Sequence, residues 1–496
     1  MSLTINCLWE LDRLPSQLDI SPRRVNHGWM LSPGSMEHEF LMVISLVKAR
    51  RDSFKSPKPD APRVLVFDIL TEVNRRGGYS NLLLPQALNS GNFEQRDKGF
   101  ITELLYGTLR MQGRHDYILS QVSDRPWAEV DDGIVDICRL GVHQLFEMRV
   151  ATHAAVSATV ELARKVIGES KASFVNAILR KVSAQSLDEW LQPVYAMTDP
   201  VSRLAIQYSH PEWIVSAYFD LLKDYQRVEE ELAANNVPAT PTLVSWPGAS
   251  TQADLVAEGA IATEFSRYGA KFDGAPGSLD LIRHRKAGVQ DEGSQLVASV
   301  FAQATQYAKS VLDLCAGPGG KAALISHICE VEGRDFVANE ISEARAKLVK
   351  NVIGKFPVWV GDGREISSHG QSFDAIIADV PCTGLGALRR RPEVRWRRTV
   401  QDLRALTELQ LELAESAISN LNHDGIFGYA TCSPHFAETF GQVKMILKKH
   451  PEFEQVDVSP YLPSNLHGAV RDKAMALWTS VHDTDSMFLA LFQKKA

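Results

Sequence analysis

Two cysteines stand where a reactive sulfur would be useful. Cys382 follows Pro381 in Asp379-Val380-Pro381-Cys382, and Cys432 lies in Thr431-Cys432-Ser433-Pro434. Each comes just after a short apolar run that reads as a strand. Each has polar neighbours, unlike the inert cysteine of an apolar core. A thiolate is both a nucleophile and a leaving group, so two thiols at one sheet edge suit covalent catalysis. Ahead of them, three acids close successive strand-like runs: Glu340, then Asp362 in Val360-Gly361-Asp362-Gly363, then Asp379. One acid at a strand end is as often a turn or helix cap as a ligand. Three in order, behind a glycine-rich loop, point to a nucleoside cofactor, with Glu340 toward the ribose hydroxyls and Asp362 toward the adenine amine.

That loop is Asp313-Leu314-Cys315-Ala316-Gly317-Pro318-Gly319-Gly320-Lys321. It joins the apolar Ser310-Val311-Leu312 to a helically spaced run at 322–328. A strand, a glycine-rich turn and a helix start make a ligand crevice. Neither G-x-G-x-x-G nor the P-loop pattern is present, so the loop need not hold a phosphate. S-adenosylmethionine, with a carboxylate on its methionine end, is the natural candidate.

With a methyl donor in that crevice, the thiols suggest a reaction. C5 of cytosine is a poor nucleophile, but a thiolate adding at C6 pushes electron density onto C5, which can then attack an electrophilic methyl. Charge building at N3 requires a proton or hydrogen bond, and a protonated Asp379 carboxyl suits that task. The C5 proton must then leave so that the sulfur is expelled, a step that a second thiol can assist.

Such residues need a sheet to carry them. From 286 to 496, strands alternate with helices, as in a parallel sheet wrapped by helices. Strands are expected at 311–314, 335–339, 358–360, 375–378, 425–430 and 488–492. From 61 to 185 the pattern is different: apolar stripes at helical spacing predict helices at 64–73, 96–111, 115–121, 131–146, 153–167 and 173–183, an all-α unit. Residues 186–285 read as a small α+β connecting subdomain. It has a helix starting near Pro211, strands at 242–246 and 278–282, and a short helix at 254–258. Residues 1–60 are punctuated by five prolines and are expected to be a poorly ordered leader, with one helix at 37–49.

At 496 residues the chain is too long for one core, and several domains are expected. Apolar and charged contents of 45% and 23% suit a globular protein. No long apolar run predicts a membrane span and no secretory signal is seen. The six cysteines form no C-x-x-C pair, so neither a metal site nor a disulfide framework is indicated. A cytoplasmic setting is expected. The net charge of −7 argues against indiscriminate coating of nucleic acid and makes local patches matter more.

Several stretches resemble known families. Val66-Phe67-Asp68-Ile69-Leu70, residues 79–85, Leu104-Leu105-Tyr106-Gly107-Thr108, residues 140–145 and residues 174–180 resemble NusB domains, which bind RNA. Residues 290–295, the 313–321 loop, Asp379-Val380-Pro381-Cys382-Thr383-Gly384, residues 389–396 and Thr431-Cys432-Ser433 closely resemble the RNA 5-methylcytosine methyltransferases. Together, the two halves resemble the ribosomal RNA small-subunit methyltransferase B (RsmB/Sun) family. The resemblance implies a class I, Rossmann-like methyltransferase domain over 286–496 behind a NusB-like domain. It implies Cys432 as nucleophile, Cys382 as the residue that helps release product, and Cys315, Ala316, Gly317, Pro318, Gly319, Gly320, Lys321, Glu340, Asp362 and Asp379 as cofactor contacts. In that family paired acids closely follow Thr-Cys-Ser. Here Ser433-Pro434-His435-Phe436-Ala437-Glu438-Thr439 offers a single acid.

Six arginines and a tryptophan fall within residues 389–398, seven residues beyond Cys382. Their placement predicts phosphate and base contacts with RNA, the target being a single-stranded or flipped cytidine. Small-subunit rRNA is the expected substrate, with tRNA or another RNA as the alternative, and neither DNA nor a membrane is expected as a partner. A DNA cytosine methyltransferase would use the cysteine after proline as nucleophile. An amino-group methyltransferase would want an Asn/Asp-Pro-Pro-aromatic motif, which is absent. A non-catalytic RNA-binding factor would not need the thiols.

Overall fold

The computed structural model describes residues 60–466 and 468–495. The expected leader and its helix at 37–49 lie outside the described residues.

Among the described residues, seven helices come first: α1 (Ala61–Arg76), α2 (Ser80–Ser90), α3 (Gln95–Arg110), α4 (Gln112–Val122), α5 (Asp132–Phe146), α6 (Thr152–Ile167) and α7 (Glu169–Val182). Local signals set their ends. Pro62 occupies the first turn of α1, and Gly77 closes it in a left-handed conformation. The Asp131 carboxylate caps α5 by accepting from the Gly133 N–H. Their apolar stripes meet in one core that includes Leu70, Leu104, Ile137 and Leu179.

Four more helices follow: α8 (Leu187–Tyr195), α9 (Pro200–Gln207), α10 (Glu212–Leu222) and α11 (Tyr225–Ala234). Leu204, Ile214, Tyr218 and Leu232 from this set join the core on one face of the large C-terminal sheet. Next comes a small antiparallel sheet of β1 (Thr242–Ser245), β2 (Ile261–Ala262), β3 (Gly269–Lys271) and β4 (Ala287–Val289), in the order β2-β3-β1-β4. It carries α12 (Gln252–Ala257) and α13 (Asp280–Arg283). The strand expected at 278–282 is therefore a helical turn. The run Leu279-Asp280-Leu281-Ile282 is too short for periodicity to separate strand from helix.

The remaining elements are α14 (Glu292–Ala304), β5 (Ser310–Asp313), α15 (Gly320–Glu332), β6 (Asp335–Glu340), α16 (Glu343–Lys350), β7 (Val358–Val360), β8 (Phe373–Asp379), α17 (Val394–Arg397), α18 (Val400–Ser419), β9 (Leu421–Thr431), α19 (Phe440–Lys449), β10 (Phe453–Val456), β11 (Val470–Arg471), β12 (Ala474–Ala476), α20 (Thr479–His482) and β13 (Phe488–Lys494). The sheet order is β11-β12-β13-β9-β8-β5-β6-β7, with β10 on β13. Strands β5 to β9 pair in parallel, and β13 runs antiparallel beside β9. Alternate residues serve opposite cores: Ile376 and Phe427 face α18 and α19, while Ile377 and Ala430 face α14 and α15. Burial on both faces explains the nearly continuous apolar sequence of β8. The order reverses between β5 and β8, the switch point where such sheets bind ligands at their carboxyl ends. Among the described residues, no helix is long and apolar enough to cross a membrane.

Candidate active site

The carboxyl ends of β5, β8 and β9 bring the expected chemistry together. Cys432 directly follows β9 and Cys382 lies three residues beyond β8. The strands are neighbours in register, Asp379 opposite Ala430, so the loops leave the sheet side by side. The two sulfurs are 3.2 Å apart. Cys432 lines a cleft with Asp313, residues 315–318, Gly320, Lys321 and Asp379. Arg390, Arg391 and Asp485 also line it.

The thiols are not equivalent. The hydrogen bond with Cys382 above all holds Cys432 below the ordinary thiol range; burial opposes this, and the charges of Arg391 and Lys321 add to it. The same hydrogen bond, then burial, pushes Cys382 well up. Either sulfur can donate in this hydrogen bond, and the opposite shifts favour Cys382 as donor and Cys432 as thiolate.

Lys321 Nζ lies 2.8 Å from Asp379 Oδ2. Burial disfavours the Lys321 charge, yet Asp379 by charge and hydrogen bond leaves its pKa raised overall. The Asp379 carboxyl, expected to meet N3 as a proton donor, is thus hydrogen-bonded to a lysine that carries a transferable proton. Asp313, which the sequence reading did not single out, lies beneath this pair. Burial first, and then the Asp379 charge, raise its pKa to about 8. It is also a strand-end acid, directly ahead of the loop, and that position was the available signal.

The other expected contacts are placed as follows. The Glu340 carboxylate is buried and accepts from the Gly317 N–H at 2.9 Å, the Ser342 N–H at 2.8 Å and Arg345 Nε at 2.9 Å. It braces the glycine-rich loop from behind. A Cβ on Gly317 would sit 2.1 Å from Glu340 Oε2, so only glycine permits this approach. Asp362 caps the turn after β7 through the Arg364 N–H and forms a two-pronged pair with the Arg364 guanidinium. Of the ten expected residues, those from 315 to 321 and Asp379 gather around the cysteines; Glu340 and Asp362 support the neighbouring strand ends.

The arginine cluster departs from expectation. Arg389 and Arg390 pair with Asp483 and Asp485. The fully buried Arg395 donates to the Ser209 carbonyl at 3.1 Å, Asn236 Oδ1 at 2.9 Å and the Asn235 carbonyl at 3.2 Å. Arg397 reaches the Val73 carbonyl at 2.8 Å and lies over the Tyr79 ring. Glu393 accepts from the Ser80 N–H and hydroxyl, and Trp396 packs on Gly113. Four of the six arginines thus bind protein groups, and the segment straps the catalytic loop to the N-terminal helices. A second residue missed in the sequence is Glu438, which is fully buried behind the cysteines. It was visible only as the lone acid beyond Cys432.

Comparison with known proteins gives a consistent picture. Residues 300–493 match the family model described as 16S rRNA methyltransferase RsmB/F, and residues 60–184 match the NusB family model. A putative methyltransferase of Mycobacterium tuberculosis is 38% identical over 446 residues, covering 88% of this chain and 97% of the relative. The ribosomal RNA small subunit methyltransferase B of Vibrio vulnificus is 30% identical, covering 79% and 92%. The probable enzyme of that name from Bacillus subtilis is 28% identical, covering 88% and 100%. Among solved structures, the protein PH0851 shares the fold with a TM-score of 0.71, at 18% identity, covering 89% of this chain and 100% of that one.

Proposed function

The chain belongs to the RsmB/F family of methyltransferases, and from that premise we propose that it methylates C5 of a cytidine in RNA, through a transient bond between Cys432 and C6 of the base. Small-subunit rRNA is the proposed substrate, as the names of its relatives suggest, and the NusB-like helices are proposed to bind it. The observation that carries the chemistry is the 3.2 Å pairing of two unlike thiols at the sheet's switch point.

S-adenosylmethionine is the methyl donor, and the cleft suits it. The carboxyls of Asp313 and Asp379 line the cleft beside the loop at 315–321, and a sulfonium and an ammonium bound there would favour their ionised forms. The bound cofactor supplies an electrophilic methyl for C5. The remaining steps belong to the chain. The Cys432 thiolate bonds to C6, and the ring electrons move toward C5 and N3. The Lys321–Asp379 pair holds a proton that meets the charge growing at N3. A base from solvent then takes the C5 proton, the C–H electrons rebuild the C5–C6 double bond, and the C6–S electrons return to sulfur. The Cys382 thiol, 3.2 Å away, donates a hydrogen bond to the departing thiolate. One interaction therefore both generates the nucleophile and releases it.

The test is incubation with labelled methyl donor and unmodified small-subunit rRNA, followed by mapping of the methylated atom. The expected result is 5-methylcytidine, no product from Cys432→Ala, and a trapped protein–RNA adduct from Cys382→Ala. Methyl on an exocyclic nitrogen or on adenine would reject the chemistry. Labelling of tRNA in place of rRNA would reject the substrate.

A further inference from the structure

Glu438 ends the single 3-10 turn at Phe436–Glu438, beyond Cys432, and is fully buried. Its Oε1 accepts from the Thr383 N–H at 2.8 Å and from Gln410 Nε2 at 3.0 Å. Its Oε2 accepts from the Thr383 hydroxyl, which also lies 3.1 Å from Ser433 Oγ. Its backbone carbonyl accepts from Tyr429 OH at 2.8 Å. Gln410 continues the web to the Pro381 carbonyl at 2.9 Å. Thr383 is the residue after Cys382 and Ser433 the residue after Cys432. One carboxylate therefore ties together the two loops that carry the sulfurs.

The chemistry of this residue is unexpected for a purely structural tie. Among the described residues, no lysine or arginine forms an ion pair with it, its side-chain hydrogen-bond partners are neutral donors, and the His435 imidazole that feels its charge is held below its ordinary range by burial. Burying an uncompensated charge is costly, and a neutral amide would make much the same hydrogen bonds. A carboxylate differs from such an amide in the negative charge it can place beside two thiols that share one ionisation.

We infer that Glu438 is a positioning residue that fixes the spacing of the two sulfurs and, by its charge, keeps the proton on Cys382 so that Cys432 is the thiolate. This rests on the proposed roles of the two cysteines. A negative charge next to one of two interacting thiols disfavours ionisation there and leaves the other as the preferred site. Its contribution at Cys382 adds to those of the hydrogen bond with Cys432 and of burial.

The experiment measures alkylation of the free protein by iodoacetamide, resolved by peptide mass spectrometry at each cysteine over a range of pH. In the wild type, Cys432 is expected to react first. Glu438→Gln keeps the shape and most hydrogen bonds but removes the charge. The ratio of Cys382 to Cys432 labelling should rise about tenfold, the equivalent of one pKa unit. Glu438→Asp retains the charge and should stay near the wild-type ratio even if its melting temperature drops. With RNA and methyl donor, Glu438→Gln should also accumulate covalent adduct while turnover falls. A wild-type labelling ratio in Glu438→Gln, or an equal rise in Glu438→Asp, would overturn the inference. Labelling needs no RNA, so it tests this inference even if the proposed methylation fails.

Discussion

Asp313 shows how one residue can carry a pH signature for the whole site. Its pKa is raised to about 8 in the folded chain, first by burial and then by Asp379, from an ordinary value of 3.8. A raised folded pKa contributes stability that is full below the unfolded value and is lost as pH climbs through the folded one. For this group the loss runs from about pH 4 to about pH 8. Asparagine mimics the protonated acid, so Asp313→Asn should flatten the fall in melting temperature across that window. Thermal melts at both ends of the window check it; an unchanged slope would mean that Asp313 is ionised throughout. At this scale the sequence was informative where residue type is rare. Two cysteines after strands announce themselves, and so does a lysine closing a glycine-rich loop. The tie made by Glu438 was not legible, because its partners Tyr429, Gln410 and Thr383 lie 9, 28 and 55 residues away. Nothing in a local pattern signals such a partner. The pairing of Lys321 with Asp379 likewise depends on a contact across 58 residues.

Among the elements, the short turn at Leu385–Ala387 has the most exacting position. The Gly386 N–H donates to the Cys432 carbonyl at 2.8 Å, and its carbonyl accepts from the Ser486 N–H at 2.9 Å. The turn thereby sews the loop after β8 to the end of β9 and to the approach of β13. A Cβ there would fall 2.0 Å from the Ser486 carbonyl oxygen and 2.7 Å from that of Cys432. Backbone on both sides cannot yield as a side chain would. Gly386→Ala should cost about 1–3 kcal/mol of stability and part the two sulfurs. Diamide cross-linking of Cys382 to Cys432, compared with the wild type, reads that separation directly, and an undiminished yield would refute it. The strands that carry this geometry were readable from alternating apolar and polar blocks, because a parallel sheet buried on both faces imposes them. The turn at Asp280–Arg283 was not, since four residues hold only two strand repeats and about one helical turn.

On the scale of the molecule, the arginine strap decides how the halves cooperate. Arg395 is fully buried, and burial lowers its pKa to about 9. It donates to carbonyl groups of residues between 159 and 285 positions away. Replacing it by methionine keeps volume but leaves those acceptors without a donor, a loss on the order of 3 kcal/mol. Arg395→Met should split unfolding into two calorimetric transitions, one for the N-terminal helices and one for the sheet domain; a single undisturbed transition would show that the strap carries little load. Composition marked this segment as a basic patch, and a basic patch near a catalytic loop is reasonably read as facing nucleic acid. In the folded chain Arg389 and Arg390 meet aspartates, while Arg395 and Arg397 meet mainly backbone carbonyls, which every residue possesses and no sequence pattern displays.

That same strap bears on how such proteins can be recombined. Because α17 is held by main-chain oxygens more than by matching side chains, a chimaera joining the helices of one relative to the sheet of another would succeed or fail on the contour of the donor's backbone. Counting identical residues at the seam would be a poor guide to which exchanges keep the cysteine loop in place.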